Sequence, residues 1–378
     1  MGQKYIWQDR NWPHLTWDSS SLLHLLGQAR KIQGRILASA NMIGLDAHAD
    51  LLVEEAFATS AIEGESFDKL TIRSSVAKRL GLPNAGLPAE KRQIDGLVEM
   101  LIDATSNFSA PLSAKRLHGW HAGIFPTGYS GINKIQVAKW RSGPEPMRVI
   151  SGRANKEVIH FEAPPSEKVA NEIKSFLSWW KNPPENLDGL IRAGVAHFWF
   201  VTIHPYDDGN GRISRAITDM AIAQDEKSGR RLYSLSAQIS KERKEYYEIL
   251  ESTQKGSCDI TPWLEWFLLL FRRSIETSTE IIEKTLTIAN FWSEYRKDTF
   301  NQRQIKVLQK LLESRPNGFE GGLTNRKYVS ITKTSRESAK RDLAELEKMG
   351  LIKRNPGQGR SISYSLDESK LNGKLLSS

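Results

Sequence analysis

The feature that most constrains this chain is an interruption between two apolar helical patterns. Leu187, Leu190, Ile191, Gly194, Val195 and Phe198 form an apolar stripe at helical spacing, and Ile213, Ile217, Met220 and Ala221 form another. Between them lie His204, Pro205, Tyr206, Asp207, Asp208, Gly209, Asn210 and Gly211, followed by Arg212 and Arg215. That order predicts a helix–loop–helix junction. Whatever the loop binds sits at the start of the second helix, where unpaired N–H groups and the helix dipole favour an anion.

Each residue of the loop has a chemical reason to be there. Gly209-Asn210-Gly211 tolerates positive φ, so successive N–H groups can turn inward as an anion cradle. His204 has an ordinary pKa near neutrality and suits a general base acting on a hydroxyl. Asp208 is a hard oxygen ligand suited to Mg²⁺ beside phosphate oxygens. Arg212 and Arg215, three residues apart, share a helix face and can each fork onto a polyphosphate. The inventory suits phosphoryl or nucleotidyl transfer. The bland reading is an ordinary turn, a histidine helix cap and two solvated arginines; the joint register of all these residues outweighs it.

The segment resembles the Fic-domain motif: a histidine, Pro-Phe, an acidic residue, Gly-Asn-Gly-Arg and a second arginine. Tyr206 stands where the motif has phenylalanine and keeps an aromatic ring for the core. Fic proteins mostly transfer AMP from ATP to a target hydroxyl with release of pyrophosphate. The resemblance therefore implies His204 as general base, Asp208 as the Mg²⁺ ligand, Gly209, Asn210 and Gly211 as the phosphate pocket, and Arg212 and Arg215 as its charge partners. Thr59-Ser60-Ala61-Ile62-Glu63-Gly64 resembles the inhibitory-helix motif of autoinhibited Fic proteins, with Thr59, Glu63 and Gly64 in register. A Glu63 carboxylate on Arg215 would occupy the guanidinium and repel a triphosphate. The competing reading makes Glu63-Gly64 a plain helix stop.

Val149 to Gly152 and Glu157 to Phe161 are β-prone runs around Arg153-Ala154-Asn155-Lys156, a hairpin signal inside a stretch, Ile135 to Phe161, that reads as extended. In Fic proteins a hairpin flap docks the target by strand addition. Ser151, Gly152, Val158, Ile159 and His160 are the counterparts here. The tryptophan-rich lead at Trp7, Trp12 and Trp17 reads as a packed arm, and with the region up to Gly81 it resembles the N-terminal region of one bacterial Fic subfamily. Further helices are predicted from Lys91 to Thr105, Ser113 to His121, Lys241 to Thr253, and Thr261 through Trp292. Tyr246 and Tyr247 read as core residues, with the nucleotide pocket as the alternative.

The last segment changes character. Ile305, Leu308 and Leu311 mark one helix, Asn325 to Val329 a second, Arg336 to Met349 a third behind Ser335 as N-cap, and Ile352 to Leu366 two strands. That is the order of a winged helix-turn-helix, with Arg336, Lys340 and Arg341 placed to meet DNA and Lys353, Arg354 and Arg360 on the wing. The net charge of +9 is concentrated here, with an excess of six basic residues between Gly321 and Leu366.

The expectation is a mainly α chain of 378 residues: an N-terminal helical region over 1–95, a Fic-type helical core with a β-hairpin flap over 96–290, and a winged helix-turn-helix domain over 291–378. No run is long and apolar enough for a membrane span, and cytoplasmic residence is the default. Cys258 is the single cysteine, which excludes an intrachain disulfide and a cysteine-built zinc site. The expected activity is protein adenylyltransfer, with ATP as substrate, Mg²⁺ as cofactor and a target protein modified on Ser, Thr or Tyr. Self-modification, a homodimer, another transferred group, AMP removal, and a nucleotide-sensing DNA-binding regulator with a weakly active core stay open as alternatives.

Overall fold

The computed structural model describes residues 5–38, 40, 44–83, 88, 92–151, 158–295, 299–314, 318–356, 362–367 and 369. Its chain divides into two units, one of Met1–Ala40 with His48–Ser278, the other of Asn41–Ala47 with Thr279–Ser378.

The helices run α1 (Ser19–Ala38), α2 (Leu45–Ile62), α3 (Lys69–Leu80), α4 (Arg92–Ser106), α5 (Ala114–Ile124), α6 (Ser166–Lys181), α7 (Gly189–Ile203), α8 (Asn210–Glu226), α9 (Leu235–Lys241), α10 (Arg243–Gln254) and α11 (Thr261–Glu294). Two small antiparallel hairpins lie between α5 and α6: β1 (Tyr129–Ser130) with β2 (Asn133–Lys134), and β3 (Arg148–Ser151) with β4 (Val158–Glu162). The fold is mainly helical, as its sequence patterns lead one to expect.

The centre of the first unit is α7. The sequence shows a one-sided apolar stripe there, yet every residue from Leu190 to Ile203 except Arg192 is buried. A helix enclosed on all sides needs apolar or internally paired residues all round, and Phe200, Val201 and Ile203 supply the faces that the stripe omits. Its polar member His197 is paired on both ring nitrogens, with Thr218 Oγ1 at 2.9 Å and the Tyr246 hydroxyl at 2.9 Å. Asp188 caps α7 by accepting from the Leu190 and Ile191 N–H groups.

Two stretches depart from the sequence reading. Residues 135–147 form turns and irregular chain, and among the described residues of Ile135 to Phe161 only β3 and β4 are strand. Lys241 to Thr253 is preceded by a separate short helix, α9, whose Ser234 N-cap accepts from the Ala237 N–H. The long α11 is continuous over 34 residues.

At the N-terminus the aromatic arm packs. Tyr5 lies edge-on to Phe161 at 5.4 Å, and the Trp7 indole N–H donates to the Glu162 carbonyl at 2.7 Å. The arm thereby buttresses the base of the β3–β4 hairpin, where Met147 and Val149 complete a small apolar cluster.

In the second unit, α12 (Gln302–Glu313), α13 (Asn325–Thr332) and α14 (Arg336–Lys348) precede a hairpin of β5 (Ile352–Arg354) and β6 (Tyr364–Leu366). Val307, Leu308, Leu312, Tyr328, Leu343 and Leu346 are buried in its core. Ser335 caps α14 by accepting from the Ser338 N–H. Gly152, the hairpin turn 153–156 and Arg360 lie outside the described residues. No helix among the described residues is long and apolar enough to cross a membrane.

Candidate active site at the α7–α8 junction

The junction is shaped by backbone that only a few residues tolerate. His204 ends α7 in the left-handed region at φ +50°, its N–H bonded to the Phe200 carbonyl at 3.1 Å, so the general-base candidate is also the helix cap. Arg141 fixes this conformation from outside the motif. Its Nε donates to the His204 carbonyl at 2.7 Å, and Nη2 donates to the carbonyls of Pro164 at 2.5 Å and Ile203 at 3.3 Å. Nothing in the sequence pattern singles out Arg141.

The tautomer of His204 follows from one contact. Nδ1 lies 3.1 Å from the Val201 carbonyl, an acceptor only, so in the neutral ring Nδ1 carries the proton and Nε2 keeps its lone pair. Burial is the main force pressing the imidazole pKa below its ordinary 6.5, and the positive charge of Arg141 adds to it. The ring is therefore neutral and basic at physiological pH.

The loop that follows closes on itself. Asn210 is 2% exposed. Its side chain accepts from the Tyr206 N–H at 2.9 Å and donates to the Tyr206 carbonyl at 2.9 Å. Its amide thus clamps the loop, and the N–H groups of the first turn of α8 are left for an anion. Gly209 sits at φ +83°, and a Cβ there would stand 2.8 Å from both Ile124 and Phe125. Having no side chain, it provides no cap for those N–H groups. Tyr206 is fully buried, stacked on His121 at 4.1 Å, with its hydroxyl 3.1 Å from His118 Nδ1. The Tyr206 phenol thus has a polar partner that a phenylalanine would not need.

Asp208 points its carboxylate outward. One oxygen accepts from Ser130 Oγ and the other from the Gly209 N–H at 2.5 Å. Its backbone carbonyl is held by His121 Nε2 at 3.2 Å. A carboxylate has about four lone-pair positions, so both oxygens retain capacity for a cation. Among the described residues no three acidic, histidine or cysteine side chains cluster as a metal site. A single exposed carboxylate fits Mg²⁺ held jointly with ligand phosphates.

The two arginines of α8 are both nearly enclosed, with side chains 2% exposed, and both meet carboxylates from the end of α2. Arg215 donates from Nη2 to Glu63 Oε1 at 2.6 Å and to the Thr59 carbonyl at 3.0 Å, and from Nε to Thr59 Oγ1 at 2.7 Å. Burial works against its charge, and Glu63, with smaller contributions from Tyr246 and Tyr247, more than offsets this, so the guanidinium pKa stands above its ordinary value. Arg212 donates from Nη1 to Glu65 Oε2 at 2.9 Å and lies over the Phe125 ring at 4.7 Å. Glu65 was not visible as a site residue in the sequence. Its place depends on the turn at Gly64, which takes φ +82°.

The Glu63 carboxylate fills the cradle. A Cβ on Gly211 would lie 2.2 Å from Glu63 Oε1, so the carboxylate rests directly on that glycine. Helix α2 is seated by the same face one and two turns earlier. Glu55, spaced four and eight residues before Thr59 and Glu63, is buried and accepts from Ser234 Oγ at 2.7 Å and the Ser236 N–H at 3.2 Å.

On the hairpin, Ile150, Val158 and Ile159 are exposed at 49%, 54% and 39%, an uncovered apolar strand surface. His160 pairs with Glu251 of α10 at 2.6 Å, and Ser151 stands opposite Val158 in the register.

Comparison with known proteins places this geometry. Residues 111–222 match the Fic/DOC family model, and residues 5–82 match a domain of unknown function, DUF4172. The chain is 22% identical over 228 residues to "Protein adenylyltransferase Fic" of Nematostella vectensis, covering 59% of this chain and 48% of that protein. It is 26% identical over 173 residues to a probable protein adenylyltransferase of Aquifex aeolicus, covering 45% of this chain and 50% of that protein. The chain thus spans about half the length of these curated relatives. The crystal structure of a Fic family protein from Desulfovibrio desulfuricans G20 aligns with a TM-score of 0.56 at 17% identity, over 93% of this chain and 97% of that one, a likeness of fold. The histidine, acidic residue, glycine cradle and two arginines at the α7–α8 junction lie inside the matched segment, and the chain carries a Fic domain.

Proposed function

We propose that the first unit is a protein adenylyltransferase held off by Glu63. The observation that carries the reading is the Glu63–Arg215 pair at 2.6 Å over Gly211, a carboxylate of the chain itself seated where the cradle would take a ligand's anion. The curated relatives that the chain resembles are named as protein adenylyltransferases, which favours AMP as the transferred group.

In this reading a Ser, Thr or Tyr hydroxyl of the target attacks the α-phosphorus of ATP. A bond forms between the hydroxyl oxygen and phosphorus, the bond to the bridging oxygen breaks, and pyrophosphate leaves. The proton passes to Nε2 of His204, the nitrogen freed by the contact to Val201. Gly209, Asn210 and Gly211 line the phosphate pocket, with the N–H groups of Asn210 and Gly211 facing the anion, and Arg212 and Arg215 offset its charge. Asp208 would hold Mg²⁺, which neutralises phosphate oxygens when bound. The exposed strand surface of Ile150, Val158 and Ile159 docks the target by main-chain pairing, so selectivity rests on strand geometry.

The test is the intact mass of the Glu63→Gly variant after incubation with ATP, GTP, UTP or CTP and Mg²⁺. A gain of one AMP, from ATP alone, is the expected result. No covalent product with any of the four would sink the transferase reading.

The environment of His204 sets the pH behaviour. Its pKa is pressed below 6.5, so the ring stays unprotonated, and able to take a proton, to lower pH than a solvent-exposed histidine. The acid limb of the kcat/KM profile of Glu63→Gly is expected below pH 6.5. A limb above that value would remove His204 from the role of base.

For the second unit a separate reading is favoured by where its charges go. Asp342 is turned inward, accepting from Arg303 Nε at 2.8 Å, Asn301 Nδ2 at 2.9 Å and the Tyr328 hydroxyl at 2.9 Å, and Glu345 accepts from Gln304. Arg336, Lys340 and Arg341 on α14 are exposed, as are Lys353 and Arg354 on β5, and none forms an ion pair among the described residues. We propose that this unit is a winged helix-turn-helix that binds duplex DNA through α14, with β5 contacting phosphate. Changing Lys340 and Arg341 together to Glu is expected to abolish a mobility shift that weakens steeply with salt. No shift by the unaltered protein at low salt would overturn this.

A further inference from the structure

We infer that the end of α2 closes the nucleotide site with two carboxylates, Glu65 on Arg212 as well as Glu63 on Arg215. This rests on the nucleotide-site reading above and adds a second residue to its control.

The two pairs are built alike. Arg212 and Arg215 are 2% exposed at the side chain, while Glu65 and Glu63 are 27% and 25% exposed, so on each pair the carboxylate lies nearer solvent and covers the guanidinium. One turn of chain delivers both. The Glu63 and Glu65 N–H groups each bond to the Ser60 carbonyl at 3.0 Å, and Gly64 between them takes φ +82°. Two acids separated by one left-handed glycine therefore land on two arginines one helical turn apart.

Arg212 shows what Glu65 costs it. Its Nε is buried with no hydrogen-bond partner among the described residues, and its nearest other carboxylate oxygen, on Asp208, is 3.9 Å away. The guanidinium is thus short of acceptors, and phosphate oxygens are good ones. Glu65 is itself steadied from α4, where Gln93 Nε2 donates to Oε1 at 3.0 Å. With both glutamates in place, each guanidinium is matched by one carboxylate and the pair presents no net charge to a triphosphate. Removing Glu63 alone frees only Arg215. The terminal turn of α2 remains tied by Glu65, which makes Glu65 a brake on any activated form that lacks Glu63.

The experiment is ATP binding, with Mg²⁺, measured by calorimetry on the full chain. All proteins carry His204→Ala so that ATP is not consumed. In that background, four forms are compared: both glutamates intact, Glu63→Gln, Glu65→Gln, and both changed. Glutamine keeps the size of each side chain and removes its charge. Glu65→Gln alone is expected to tighten binding by about fivefold or more, the lower end of coupling between competing contacts. The double variant binds more tightly than either single one. Gln93→Leu, which leaves both carboxylates and only unties Glu65, shifts affinity the same way by less. Binding that responds to Glu63→Gln but is unchanged or weakened by Glu65→Gln would overturn the inference, because Glu65 would then only orient Arg212. No ATP binding by any of these proteins would instead overturn the nucleotide site itself.

Discussion

Replacing Glu63 by glycine is expected to raise AMP transfer by about tenfold to a hundredfold, the equivalent of one to two charge-assisted hydrogen bonds of about 1.5 kcal/mol each. The carboxylate both occupies Nη2 of Arg215 at 2.6 Å and fills the space over Gly211. Its removal frees a guanidinium that is already buried and already aimed. Arg215 keeps its two contacts to Thr59, so it does not collapse into the vacated space. The gain belongs mainly in KM for ATP, because the base and the loop are unchanged. The measurement is transfer of labelled AMP at several ATP concentrations. Equal activity of Glu63→Gly and the parent would remove the autoinhibitory role.

Replacing His204 by alanine has the opposite and larger effect, a loss of about 10²- to 10⁴-fold in transfer, whether or not Glu63 is present. The ring supplies an Nε2 lone pair at the head of the cradle, its tautomer set by the Val201 carbonyl. The substitution also trades one left-handed residue for another at φ +50°, a modest backbone cost since alanine adopts that region less readily. ATP affinity in the Glu63→Gly background separates the two effects. It is expected to be retained in the double variant, because His204 offers the phosphates no charge. Loss of ATP binding would mean that the loop had been deformed, and residual transfer at the parental rate would exclude His204 as base.

Much of this molecule was legible in its sequence where chemistry restricts residue type. A histidine, a carboxylate, two glycines and two arginines in fixed order leave few alternatives, and the helix–loop–helix junction follows from apolar spacing on either side. Contacts between distant segments were less legible. Glu65 carries no periodic signal, and its meeting with Arg212 depends on the left-handed turn at Gly64. Arg141 reaches the His204 carbonyl from 63 residues away in a stretch of turns that resembles extended chain. Ser130, on a strand of two residues, finds the Asp208 carboxylate the same way. Helix α7 misled in a milder form, because a stripe and a fully enclosed helix differ only in residues such as Phe200 and Ile203 that can also be read as chance.

The clamp of Asn210 onto both backbone groups of Tyr206 has a consequence for timing. With Arg141 holding the other side of the turn, the shape of the loop is fixed by contacts within the domain itself. The ordering entropy was spent when the domain folded, and nothing in the loop must be assembled at the moment of use. In the proposed reading, control is left to the last turn of a single helix. Loosening one helical turn is an event of about a microsecond or less, far faster than opening a core. A protein arranged this way stands ready at all times and responds as quickly as its shortest segment can fray.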